Sequence, residues 1–138
     1  MKKPTHEDAI VLIKLLEITN TPEMREAGDF FMKGFSVKDY KEFKQKYPPG
    51  SKEAGHINTQ LGALELAGTL VSHGLLNENL YFDTSGIEFI WPTLAPLVAG
   101  MQKESGPALW ENAAWLAQRH KKWKKKVWKP GGKWKTKT

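Results

Sequence analysis

The residues with the strongest chemical character crowd into the last eighteen positions. Lys121, Lys122, Lys124, Lys125, Lys126, Lys129, Lys133, Lys135 and Lys137 interleave there with Trp123, Trp128 and Trp134. Ammonium groups neutralise phosphates and indoles stack on unpaired bases, so this composition suits nucleic acid. It equally suits an anionic membrane surface, where indoles sit at headgroup level and lysines meet acidic lipid. A run of like charge also serves simply as a solvated tail. The candidate polyanion-binding residues are Lys121, Lys122, Trp123, Lys124, Lys125, Lys126, Trp128, Lys129, Lys133 and Trp134.

Groups for covalent or metal chemistry are scattered. His6, His56, His73 and His120 show no i,i+4 pairing and no His-Glu-x-x-His motif, so they read as solvated or helix-end histidines. Gly131-Gly132-Lys133 is only the end of a phosphate loop: Val127 stands where the first glycine belongs and Trp134 where Ser or Thr should follow. No Gly-x-Ser-x-Gly elbow occurs. With zero cysteines, disulfides, thiolate zinc sites, iron–sulfur clusters and cysteine nucleophiles are excluded. Glu65, set between two leucines, would be a functional carboxylate if buried. Glu65, Thr69 and Ser72 fall at i, i+4 and i+7, however, and make one polar stripe expected to face solvent; Glu111 with Gln118 is similar. No catalytic, cofactor-binding or metal-binding residue is assigned.

The charge is unevenly spread. Ten Lys/Arg and no Asp/Glu lie between Arg119 and Thr138, leaving eleven basic against fifteen acidic groups in the other 118 residues, a net of −4. A mildly acidic body carries a strongly basic tail, within an overall charge of +6. The apolar run from Ala9 to Leu16 is interrupted by Lys14 and lacks a cleavage site, so it does not read as a signal peptide. No stretch reaches the roughly 18 apolar residues of a membrane span. The expected location is cytoplasmic.

These residues must be held by helices. Thr5 and Asp8 make a capping box before a first helix that is apolar around most of its circumference, a pattern of burial or of cover by a partner. Thr21-Pro22 opens a second helix bearing Met24, Ala27, Phe31 and Phe35, and Ser36 is expected to cap a third through Tyr47. Ser51 opens a fourth with Ile57, Leu61, Leu64, Ala67, Leu70 and Val71 on one face. Gly55, Gly62 and Gly68 are expected to admit a neighbouring helix, and His73-Gly74 ends the element. Asn77 caps a short helix; Ile87 to Met101 form another, expected to kink or restart near Trp91-Pro92. Gly106-Pro107 precedes a last helix that carries Leu109, Ala113, Leu116 and Trp123 on one face and runs into the lysines. No segment alternates with period two, so the chain is expected to be all-α: a compact bundle of about six or seven helices over residues 1–126, a flexible Lys/Trp tail over 127–138, and no sheet.

The stretch from Leu64 to Arg119, with its Leu-Val-Ser-His-Gly-Leu-Leu turn at 70–76, Trp91 with Pro96, and Pro107-Ala-Leu-Trp-Glu-Asn opening the last helix, resembles a bacterial helical family, domain of unknown function 4760. Gly74, Trp91, Pro96, Trp110 and Glu111 carry the likeness. They are packing and turn positions, so the resemblance implies a fold and not an activity. The resemblance implies that some relatives carry an N-terminal membrane helix; no such helix is expected in this sequence. The first fifty residues and the tail fall outside the likeness.

The expected function is a non-catalytic interaction module that binds a protein partner or its own copies, with Trp115 as a candidate interface residue or, equally, a core one. The alternative is binding of nucleic acid or anionic lipid through the tail.

Overall fold

In a computed structural model, residues 2–129 and 133–134 are described, with side chains over 2–127. Seven helices follow one another: α1 (His6–Thr19), α2 (Pro22–Met32), α3 (Tyr40–Lys46), α4 (Lys52–Ser72), α5 (Glu78–Thr84), α6 (Ile87–Ser105) and α7 (Glu111–Val127). The all-α bundle is as expected. One addition is a two-residue antiparallel ladder, β1 (Trp128–Lys129) with β2 (Lys133–Trp134), pairing Trp128 with Trp134 and Lys129 with Lys133. No sheet is expected from the sequence there, since two residues a side are too few to show a period-two pattern.

Local chemistry sets most boundaries. Thr5 and Asp8 cap α1 reciprocally, the Asp8 backbone N–H donating to Thr5 Oγ1 (3.1 Å) and the Thr5 N–H to Asp8 Oδ2 (2.8 Å). Asp8 Oδ1 also accepts from the backbone N–H of Asn77 (2.9 Å), tying α1 to the start of α5. Thr21, Ser51 and Asn77 cap α2, α4 and α5. After α4, Gly74 adopts φ +71°, its N–H donates to Val71 O (3.0 Å) and that of Leu75 to Leu70 O (2.9 Å), the glycine-terminated stop read from His73-Gly74.

Two boundaries differ from expectation. The helix expected from Ser36 begins at Tyr40, because Asp39 accepts from the Glu42 N–H (2.9 Å) while Glu42 reaches back to the Lys38 N–H (2.7 Å). Of the kink or restart expected near Trp91-Pro92, the restart does not occur: α6 is one helix with both prolines inside. Each proline removes one backbone donor, but Ile87, Leu94, Leu97, Val98 and Met101 bury one continuous face and hold the element together.

α4 is the central helix, with α2 and α7 packed against it; α6 receives α3 and α7, and α1 rests on α5. Ile57, Leu61, Leu94, Leu97 and Leu116 are fully buried at the centre. Close approach uses glycine at two points. A Cβ on Gly68 would stand 2.2 Å from the Asn112 carbonyl oxygen of α7, and one on Gly100 would stand 2.3 Å from Tyr40 Cβ of α3. Gly55 and Gly62, expected to serve likewise, meet nothing within 4 Å.

Candidate interaction surfaces

α1 buries only Leu12 and Leu15. Ile10, Ile13, Leu16 and Ile18 are each more than half exposed. The apolar excess read from the sequence is therefore real, and its outer side is bare among the described residues. Branched aliphatics at such exposure leave water in contact with surface whose burial would stabilise by about 25 cal/mol per Å².

The basic stretch is divided by the fold. Trp123, expected among the polyanion-binding residues, lies in the core at 7% exposure, and its indole N–H donates to Asn79 Oδ1 (2.7 Å). Its ring lies 5.5 Å from that of Phe82 and 5.8 Å from that of His120. Lys124 pairs with Glu88 of α6. Trp123 is turned inward because the buried side of α7 continues through the lysines with a period that places 116, 120 and 123 together, while the Lys124 side chain stays partly exposed. Lys121, Lys122, Lys125 and Lys126 are exposed. The side chains of Trp128, Lys129, Lys133 and Trp134 fall outside the described residues, as do Lys135 and Lys137.

Two residues sit differently from the sequence reading. His120 is buried, packed edge-on against Phe82 at 5.1 Å, and desolvation by burial is the main influence lowering its pKa below the usual histidine range. Glu65 does not face solvent. Its Oε1 accepts from the backbone N–H (3.3 Å) and Nδ2 (3.0 Å) of Asn112, and its Oε2 from the Ala113 N–H (2.8 Å). Those are the second and third residues of α7, whose amides a local cap side chain normally satisfies. The local cap position is Trp110, at φ +57° and without a side-chain acceptor, so α4 supplies the cap from across the interface. The carboxylate also complements the positive end of the helix dipole. Glu111 is exposed, as expected.

Trp115 is exposed, and with Leu75 it walls an open cleft of about 720 Å³ between the start of α1, the α4–α5 turn and α7. Three of the charged residues that line the cleft are engaged with protein partners. Arg119 binds Glu78 in a two-pronged pair (Nε–Oε2 2.6 Å, Nη2–Oε1 2.9 Å), which raises its pKa, and Asp8 is engaged in capping. Sequence periodicity gave no signal for the Arg119–Glu78 and Trp123–Asn79 contacts, since both join helices more than 40 positions apart.

No group of three or more potential metal ligands converges among the described residues, and no helix there is long and apolar enough to cross a membrane. Fold and surface together define a small all-helical bundle whose distinctive features are faces and not a reactive cluster. The chain belongs to the family described as Domain of unknown function (DUF4760), which it matches over residues 4–123. The match starts well before the stretch that carried the resemblance, so α1 to α3 belong to the shared fold, and it ends at the buried Trp123. Comparison with curated proteins and with solved structures returned no match.

Proposed function

We propose that the protein is a non-catalytic interaction module of the cytoplasm that binds another polypeptide through the outer face of α1. The carrying observation is the exposure of Ile10, Ile13, Leu16 and Ile18 on one fourteen-residue helix whose inward side already satisfies the core. A partner that covered them would recover the hydrophobic stabilisation the monomer forgoes. The absence of cysteine accords with a reducing compartment. Site-specific photocrosslinking tests the reading. A photoreactive residue in place of Ile13 should form adducts with protein in the expressing cell, while the same group in place of the exposed Gln118 should not. Adducts with lipid alone, or equal labelling from both positions, would defeat it.

A second reading is favoured by the four exposed lysines of α7. Lys121, Lys122, Lys125 and Lys126 make no ion pair among the described residues and form a cationic end beside the tail. Such a surface binds polyanions with strong salt dependence. Single-stranded oligonucleotide binding should weaken when Lys121, Lys122 and Lys125 are changed to Glu. Co-sedimentation with anionic vesicles, without oligonucleotide binding, would assign the lysines to lipid instead.

A further inference from the structure

We infer that the partner of the α1 face is a second copy of the same chain, the two helices pairing antiparallel so that His6 of each lies opposite Glu17 of the other. The inference rests on the interaction reading above and adds the identity and register of the occupant. At 100° per residue, His6, Ile10, Ile13 and Glu17 fall at i, i+4, i+7 and i+11 and share one line along the outer side of α1. Leu16 and Ala9 flank that line on one side, and Glu7 and Lys14 on the other. His6, Glu7, Ile10, Ile13, Lys14, Leu16 and Glu17 are all exposed.

This pattern is complementary to itself in one direction only. A two-fold axis crossing the helix between residues 11 and 12 sets Ile10 against Ile13 of the partner copy, and His6 against its Glu17. The same axis keeps each flank facing its own kind. Lys14 then lies within a turn of the partner copy's Glu7, and Leu16 lies beside the partner copy's Ala9. A nitrogen of the His6 ring can donate to the facing carboxylate, and the isoleucines form the dry centre. A parallel pairing would match Ile10 with Ile10, but it would also oppose Glu17 to Glu17 and set the Glu7–Lys14 flank of each copy against the Ala9–Leu16 flank of the other. Like charges across a helix pair are destabilising, so the antiparallel arrangement wins. Within one copy the Lys14 and Glu17 side chains make a mostly exposed i,i+3 pair at 3.1 Å, which is worth little and is easily shared. The resulting contact is isologous and closed, so it stops at two copies.

Sedimentation equilibrium on the full chain should show a mass that doubles with rising concentration, and Ile13→Lys should weaken that association by about a hundredfold or more, since truncating or charging a central apolar anchor has effects of that size. Circular dichroism checks that the variant keeps its helices, which it should, because Ile13 is exposed. The register is read by thiols, since the chain has no cysteine of its own. When Ile10→Cys and Ile13→Cys chains are mixed and oxidised, the mixed 10–13 disulfide should outnumber 10–10 and 13–13 products. A mass that stays monomeric at every concentration, an association indifferent to Ile13→Lys, or a dominance of like-with-like disulfides would each overturn the inference. A monomer whose position 13 still photocrosslinks to a different protein would refute self-pairing alone and leave the interaction reading standing.

Discussion

A single carboxylate decides where the last helix starts. Glu65 accepts three hydrogen bonds from Asn112 and Ala113, doing for α7 what Trp110 cannot. Its neighbours Thr69 and Ser72 bond carbonyls of their own helix (2.8 and 3.1 Å); Ser72 is exposed, as the i, i+4, i+7 stripe predicts, Thr69 is half-buried, and Glu65 is the member that departs from it. Nothing in the local sequence says that a second helix arrives there; Gly68 one turn on was the only mark, and it was read correctly as a close-approach position. Glu65→Ala should cost about 1–3 kcal/mol in chemical denaturation, as removing a charged acceptor from otherwise unsatisfied amides does, with Glu65→Gln intermediate. Gly68→Ala should be destabilising by roughly 1–3 kcal/mol or more, since its Cβ meets backbone and not a flexible side-chain end. His120 gives a pH signature. Burial lowers its folded pKa, so between that value and the unfolded 6.5 the unfolded chain binds more protons. Stability should therefore fall as pH drops below about 6.5, and His120→Phe should flatten that part of a thermal-melt profile. An unchanged slope in the variant would mean that other groups carry it.

At the scale of elements, most of the fold was legible because most boundaries are made by adjacent residues. Thr5 with Asp8, Thr21 with Pro22, Ser51, Asn77 and Gly74 act within a turn of themselves, and each stands where spacing put it. The failures share a cause. α3 is capped by Asp39 and not by Ser36, three residues earlier, because Asp39 accepts from the Glu42 N–H while Glu42 reaches back to the Lys38 N–H. α6 survives two prolines because packing against α3 and α7 outweighs two missing hydrogen bonds. α7 carries core residues to Trp123 and its helix to Val127, so the basic stretch begins on the bundle itself. Truncation locates the true border. Deleting residues 128–138 should leave the melting transition cooperative, while deleting 121–138 should lower stability by at least the roughly 3–5 kcal/mol typical of losing a buried tryptophan. Equal behaviour of the two truncations would contradict the buried position of Trp123.

For the molecule as a whole, charge segregation is partly undone by the fold. Lys124 is drawn to Glu88, Lys44 to Glu104 and Lys52 to Glu26, so acidic groups of the body hold their nearest cations. The lysines that remain exposed on α7 stand on a rigid helix, spaced by its pitch and not by a fluctuating chain. If they bind a polyanion, the logarithm of affinity should fall linearly with the logarithm of salt, losing about 0.7 in slope for each phosphate contact removed from a single strand by a Lys→Glu change. The placement of α4 has a further consequence, for the order in which the chain can acquire its shape. α2 covers one side of it from nearby sequence, but the side around Glu65 and Gly68 waits for a helix that begins more than forty residues later. During synthesis that apolar flank is necessarily naked while α5 and α6 are being made. A growing chain stalled before residue 111 should thus be the species that chaperones grip most tightly, and release should coincide with the docking of α7.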